Sequence, residues 1–272
     1  MIFRYPGGKR KVIRKIIDKI PDGIREIREP FVGGGSFFFA IPTDVKRWIN
    51  DIHPGLISVY TALRDNKEEF IKKCRDIKPA SRDDFKVLVG KTLQNKRLYD
   101  KFQEMVRDKD KDPSLSYFFI NRTVWAGRVN YSLPSRLYYS NPNGWNLAHT
   151  NKMELAACHM KNTKITCGDY SALLEEPGED VFLYADPPYV CNTEMPATDQ
   201  QYEYNFTLKD HERFANLAKK CVHKMIISYD DHKLVRDLFA GSQFKIYKEE
   251  WKYSGSTLSK KKIGKELILV NY

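Results

Sequence analysis

The stretch Val181-Phe182-Leu183-Tyr184-Ala185-Asp186-Pro187-Pro188-Tyr189 sets the reading of this chain. Its first five residues are a continuous apolar run, the pattern of a parallel strand covered on both faces. The run ends in a carboxylate, two prolines and a tyrosine. Open α/β sheets bind ligands outside the carboxyl ends of their strands, so this turn lies where chemistry is done. Neither proline has a backbone N–H, and both stiffen the turn, which leaves its carbonyls to other partners. One carboxylate and one carbonyl can together accept both hydrogens of an exocyclic amine. A tyrosine can stack on the flat ring that carries the amine. The group suits an aromatic amine laid in a slot.

Upstream, the chain has the outline of a nucleotide-binding βαβ unit. A short strand leads to Pro30, Gly33-Gly34-Gly35 forms a tight loop, and Ser36 can cap a helix over Phe37–Ile41. A second strand, Val45–Asn50, ends at Asp51. Consecutive glycines let backbone approach a ligand where a Cβ would collide, and Asp51 is placed to accept from ribose hydroxyls. The dinucleotide pattern G-x-G-x-x-G/A would require Gly or Ala at 38. Phe38 stands there, so the expected cofactor is a nucleoside without a pyrophosphate.

The rest of the chain frames this unit. At 272 residues, length predicts roughly two domains or one large domain with an insertion. Lys9–Ile20 carries apolar residues at helical spacing. Residues 63–112 are charged and read as helical. Residues 113–151 hold eight aromatics and three arginines but no acid, and their Asn, Pro, Ser and Gly content predicts loops. The α/β pattern resumes near 164. Thr207 and Asp210 read as a capping pair ahead of a helix over Leu208–Cys221, Met225–Tyr229 as a buried strand and Leu234–Phe239 as a helix. Phe244–Trp251 and Glu266–Asn271 read as a closing antiparallel pair around a basic loop. His53 and His211 read as ordinary helix-start residues. Alternating strands and helices predict a mostly parallel sheet covered on both faces, with the aromatic middle inserted into it.

Forty-six basic against 35 acidic residues give a net charge of +11, which favours a polyanionic partner. The signs are segregated: residues 1–30 and 245–265 each carry a net +5, and residues 165–208 a net −9. That distribution fits a basic groove beside a carboxylate-bearing site. Five cysteines without a C-x-x-C spacing predict reduced thiols, and the six histidines show no zinc spacing, so no metal is expected. No apolar run approaches the ~18 residues of a membrane span, and the N-terminus has no apolar signal region; a cytoplasmic chain without membrane contact is expected.

With these residues in hand, the chain resembles the Dam-like (alpha) group of DNA adenine-N6 methyltransferases over nearly its whole length. Tyr5-Pro6-Gly7-Gly8-Lys9 is similar to that group's N-terminal motif and Glu29 to Phe37 to its cofactor loop. Asn50-Asp51-Ile52 resembles its ribose motif, Gly168-Asp169-Tyr170 its Gly-Asp-Phe, Asp186 to Tyr189 its catalytic motif and Glu266 to Tyr272 its closing strand. The six segments stand in the family's order. The resemblance implies a class I methyltransferase (Rossmann-like) fold with an inserted, largely helical target-recognition domain. Residues 1–62 and 163–272 would form the catalytic domain and 63–162 the insertion. S-adenosylmethionine is the implied cofactor, held by Tyr5, Gly7, Gly8, Lys9, Phe31, Gly33, Gly34, Gly35, Ser36, Asp51, Ile52, Asp169 and Asp186.

Asp186, Pro187, Pro188 and Tyr189 are the implied catalytic residues, acting on an adenine flipped out of double-stranded DNA. Phe119-Ile120-Asn121-Arg122-Thr123 is similar to the family's Asn-Arg pair ahead of its DNA-reading hairpin. The run from Val124 to Asn130 is about two residues shorter than in that family, so no recognition sequence follows from it. Arg122, Arg128, Asn130 and Arg136 are the expected DNA-facing residues of the insertion, with Arg128 able to read a guanine bidentately. Lys260, Lys261 and Lys262 are expected on phosphates. A monomer or weak dimer is expected. Two alternatives stay open on these residues: the same slot acting on cytosine N4 or RNA adenine, and a sequence-specific DNA-binding protein on an inactive methyltransferase fold.

Overall fold

The computed structural model describes residues 2–4, 13–81, 84, 86–89, 92–124, 127–131, 139, 144–146, 148–196, 203–252 and 263–272. Along the chain these form α1 (Ile13–Ile17), β1 (Glu26–Glu29), a 3-10 turn (Phe38–Ala40), β2 (Lys46–Asp51), α2 (Pro54–Asp65) and α3 (Lys67–Asp76). Next come β3 (Lys86–Val89), β4 (Thr92–Asn95), α4 (Lys96–Arg107), α5 (Pro113–Thr123) and α6 (Ala148–His159). The remainder comprises β5 (Thr163–Cys167), α7 (Ser171–Glu175), β6 (Val181–Ala185), α8 (Val190–Thr193), α9 (Leu208–Lys220), β7 (Lys224–Asp230), α10 (Lys233–Phe239), β8 (Lys245–Lys252) and β9 (Ile263–Val270).

Seven strands make one sheet in the order β5-β2-β1-β6-β7-β9-β8. The five strands from β5 to β7 run parallel, and β9 is antiparallel to both its neighbours. From β1 the chain builds outward through β2 to β5, then returns to β6 on the other side of β1. The order therefore reverses between β1 and β6, which makes the crevice above them the topological switch point. The glycine loop leaves β1 and the Asp-Pro-Pro-Tyr turn leaves β6, so both open on that crevice.

Alternation along the strands divides the core. Ile27, Tyr184, Ile226 and Ile268 face α1 and Phe37 on one side. Leu183, Ala185, Met225, Ile227, Leu267 and Leu269 face the helices α7, α9 and α10 on the other. A third cluster joins Ile49 and the apolar face of α2 to Phe118, Phe119 and Ile120 of α5, with Phe70, Phe102 and Met153 from α3, α4 and α6. The helices α3 to α6 thus share one core with α2 and the β2 edge of the sheet. Local chemistry starts the helices: Asp112 accepts from Leu115 N with Pro113 behind it, Asn95 accepts from Leu98 N, and Thr207 and Asp210 form a full capping box.

Three expectations are corrected. The helix expected over Phe37–Ile41 is a single 3-10 turn, because Phe37 and Phe38 are both fully buried, in different cores on either side of the crossover. Residues 63–112 include the antiparallel hairpin β3–β4 as well as helices. The stretch 113–151 expected as loops begins with the helix α5, whose aromatics are core residues. Its contiguous run of apolar residues hid the helical period, since a helix buried on most sides has little polar face to reveal it.

Candidate active site

The glycine loop is held by the strand beside it. Val32 N donates to Asn50 O (2.9 Å), and the Asn50 amide donates to Pro30 O (3.1 Å) and Gly168 O (2.9 Å), tying the ends of β1, β2 and β5 together. Asp51, at the end of β2, accepts from Gly33 N (3.0 Å) and His53 N (3.0 Å), and Tyr60 Oη donates to Gly33 O (2.8 Å). Gly33 and Gly35 have φ of 45° and 70°. A Cβ on Gly35 would lie 2.7 Å from Tyr60 Oη and 2.8 Å from the Phe39 ring, so the loop has no room for a side chain there. Burial raises the Asp51 carboxyl above the usual range against the lowering effect of its backbone donors. Gly34 is buried, Ser36 partly so, and Ile52 stands 50% exposed just beyond the strand, an apolar side chain offered at the mouth of the crevice.

Further along that edge, Asp169 accepts from Ser171 N (2.9 Å) and from both terminal nitrogens of Arg213 (2.8 Å each). The Arg213 hydrogen bonds hold the Asp169 carboxyl well below the ordinary carboxylate range. The same guanidinium lies 4.9 Å over the Tyr170 ring. Tyr170, Phe31 and Phe206 pack ring against ring at 5.1–5.7 Å. Arg213 and Phe206 escaped the sequence reading, because the strand-end motifs do not contain them and α9 reads only as an amphipathic helix.

The second wall is the turn after β6. Ser228 Oγ of β7 donates to Asp186 Oδ1 (3.1 Å), and Tyr184 Oη lies 3.0 Å from that serine oxygen. Asp230 caps the start of α8, accepting from Val190 N (3.0 Å) and Cys191 N (2.9 Å), and so fixes the backbone that carries Tyr189. Tyr189 is held 6.3 Å from the Tyr229 ring. Burial, then the charges of Asp186 and Glu266, push its phenol well above the usual range. His211, read as an ordinary helix-start residue, is instead buried between Tyr229 Oη (2.6 Å) and Thr193 Oγ1 (2.8 Å), bracing the same region. Burial lowers its pKa to about 4. His53, also read as ordinary, sits at the N-cap of α2 with Nε2 3.4 Å from Glu203.

Glu29 completes the crevice. It is the last residue of β1, level with Ile49 of β2 and, one step past the Arg28–Leu183 pair, with Tyr184 of β6. Two residues on from those neighbours stand Asp51 and Asp186, on the same face by alternation. Glu29 is 4% exposed, and its Oε2 has no hydrogen-bond partner among the described residues. Burial and the charges of Asp186 and Asp51 push its carboxyl well above the usual range, against a backbone hydrogen bond from Phe38. The signal for it was present, since a charged residue ending a buried central strand is unusual.

In the insertion, the Asn-Arg pair turns inward. Asn121 is fully buried; it accepts from Arg4 N (3.0 Å) and donates to Arg4 O (2.7 Å) and Gly127 O (3.0 Å). A Cβ on Gly127, whose φ is 73°, would stand 2.3 Å from Arg4 O. Arg122 directs its guanidinium at Gly144 O (3.2 Å) and Ile2 O (3.5 Å), and burial lowers its pKa to about 10. Arg128 is half-buried and Asn130 buried, and the next residue donates from Tyr131 N to Glu203 (3.2 Å). Tyr5, Gly7, Gly8, Lys9, Arg136, Lys260, Lys261 and Lys262 lie outside the described residues. Among the described residues no group of three His, Cys, Asp or Glu side chains could hold a metal ion, and no helix is long and apolar enough to cross a membrane.

The chain as a whole has known relatives. The chain is 25% identical over 277 residues to the type II methyltransferase M1.LlaDCHI of Lactococcus lactis subsp. cremoris, covering 99% of this chain and 94% of the relative. It is 28% identical over 240 residues to the type II methyltransferase M.MjaIII of Methanocaldococcus jannaschii, covering 80% of this chain and 78% of the relative. With the DNA adenine methylase of Escherichia coli K12 it shares 25% identity over 277 residues, covering 98% of this chain and 94% of the relative. The model of the D12 class N6 adenine-specific DNA methyltransferases matches residues 5–255, so the chain belongs to that family and is an adenine-N6 DNA methyltransferase.

Proposed function

We propose that this enzyme methylates adenine N6 at specific sites in double-stranded DNA with S-adenosylmethionine as donor. The reading takes Phe31, Gly33–Ser36, Asp51, Ile52 and Asp169 as the residues that hold the cofactor, together with Tyr5, Gly7, Gly8 and Lys9. The residues fit such a group. Gly35 packs its bare Cα against Tyr60 and Phe39, which holds the loop in a tight turn beside Asp51, and the aromatic cluster at Phe31 and Tyr170 suits a nucleoside base. The buried oxygen of Glu29 that has no hydrogen-bond partner among the described residues suits a polar or cationic group of a bound ligand. When bound, S-adenosylmethionine supplies a methyl group activated by its sulfonium. The single observation that carries the reading is that β1 and β6, at the switch point, present the glycine loop and the Asp-Pro-Pro-Tyr turn to one crevice.

The chain's own residues then divide the work. Asp186, oriented by Ser228, and the Pro187 carbonyl accept the two N6 hydrogens of an adenine extruded at a cost of a few kcal/mol. That keeps electron density on the nitrogen. Tyr189 stacks on the base from a backbone fixed by Asp230. Alignment of this kind can supply up to ~7–11 kcal/mol. Residues 63–162 are taken as the target-recognition unit, with Arg128 as its base-reading arginine. Incubation of plasmid DNA with methyl-labelled cofactor, followed by mapping of modified bases at single-nucleotide resolution, tests the reading. Label on adenine N6 within one recurrent sequence is expected. Label on cytosine, or none, would refute it.

A further inference from the structure

Among the described residues, three carboxyl groups gather at the crevice, and the electrostatic neighbours that raise Glu29 are the other two. Glu29 ends β1, Asp51 ends β2 and Asp186 follows β6, all on one face of adjacent parallel strands. Among the described residues, the titratable groups facing Glu29 from the surrounding elements are Asp51, Asp186, Tyr184 of β6 and Tyr60 of α2. None of them is a cation. Arg28, its neighbour in sequence, points to the opposite face and donates to Leu173 O, Glu176 O and Pro177 O. Buried like charges cannot all ionise, and the proton stays on the most deeply buried member, Glu29, whose second oxygen has no hydrogen-bond partner among the described residues. Asp51 has two backbone donors and Asp186 has Ser228, whereas one oxygen of Glu29 has no partner among the described residues.

We infer that Glu29 is a proton-linked charge sensor for the cofactor, neutral until a sulfonium-bearing ligand enters the crevice and ionised once it has. The inference rests on the cofactor assignment above. In the exchange the Glu29 carboxylic acid gives one proton to solvent and becomes the carboxylate that offsets the incoming positive charge. Methyl transfer converts the sulfonium to a neutral thioether and removes that charge, so Glu29 takes a proton back from solvent. Its hold on the product is correspondingly weaker. The crevice is thereby biased toward the methyl donor and against its spent form.

Titration calorimetry in buffers of different ionisation enthalpy reads this directly, without turnover. At near-neutral pH the wild-type enzyme is expected to release close to one proton per S-adenosylmethionine bound, and clearly fewer per S-adenosylhomocysteine. Over the pH range between the ligand-free and ligand-bound pKa of Glu29, the Kd for S-adenosylmethionine should fall about tenfold per pH unit. Glu29→Gln, with its fold checked by thermal unfolding, should abolish the release and flatten that slope. Asp186→Asn, which removes the neighbouring charge, should reduce the release without eliminating it. Wild-type binding without proton release, or undiminished release in Glu29→Gln, overturns the inference. If adenine methylation is normal in the same preparation, the functional reading survives that result. Failure of the wild-type enzyme to bind S-adenosylmethionine at all would overturn both.

Discussion

The crevice above β1 and β6 and the aromatic helix α5 put polar and aromatic residues to opposite ends. In the crevice, acids that would ordinarily be solvated are gathered at strand ends and left facing one another, with Glu29 short of a partner. In the insertion, residues that look made for a nucleic acid are used for construction. Tyr117, Phe118 and Phe119 are core, Arg122 reaches for backbone carbonyls, and Asn121 pins Arg4 as a paired strand would. The crevice keeps its acids close together at strand ends, while Asn121 and Arg122 tie residues 2–4 to the helix α5.

Breaking the crevice should have the largest effect. Asp186→Ala is expected to lower the single-turnover methylation rate by about 10³-fold, comparable to loss of one key electrostatic partner of a reacting group, with little change in melting temperature. Near-normal turnover would remove Asp186 from the reaction. The insertion should respond in the opposite sense. Asn121→Ala leaves Arg4 N, Arg4 O and Gly127 O without partners, and should cost about 2–3 kcal/mol, or about 4–12 °C in melting temperature for a chain of this length. A variant that melts with the wild type would mean that the anchor carries no weight.

Arg128→Ala sharpens the contrast within the insertion. If this arginine reads a base, discrimination against a mismatched site falls by about 1–3 kcal/mol while melting is unchanged. Loss of stability without loss of discrimination would place it with Arg122 as a structural residue. The smallest effect concerns His211, buried behind the Tyr189 turn with a pKa lowered to about 4 from an ordinary 6.5. Between those values the unfolded chain binds the proton and the folded chain does not. Stability should therefore decline as pH falls from about 6.5 toward about 4. His211→Asn should reduce that slope, read as melting temperature against pH.

The parts legible in the sequence share one property. Val181–Ala185, Gly33–Gly35, Asp51 and Asp186–Tyr189 are local patterns whose meaning depends on strand alternation and on where a parallel strand ends, both of which a linear sequence records. The capping box at Thr207 and Asp210 and the closing pair β8–β9 were legible for the same reason. The 3-10 turn at Phe38, the helix α5 and the bracing by His211 were not, because each is set by which distant surface a side chain meets.

Sequence alone therefore determined the strand–helix alternation around the parallel sheet, with the glycine loop and the Asp-Pro-Pro-Tyr turn at strand ends, since hydrophobic periodicity and turn chemistry act over a few residues. Tertiary structure alone decided which charged and aromatic side chains were spent on packing and which were left to act. Burial and desolvation depend on neighbours more than a hundred positions away, as Arg4 and Asn121 are from one another, and only the packed fold brings Glu29, buried, beside Asp51 and Asp186.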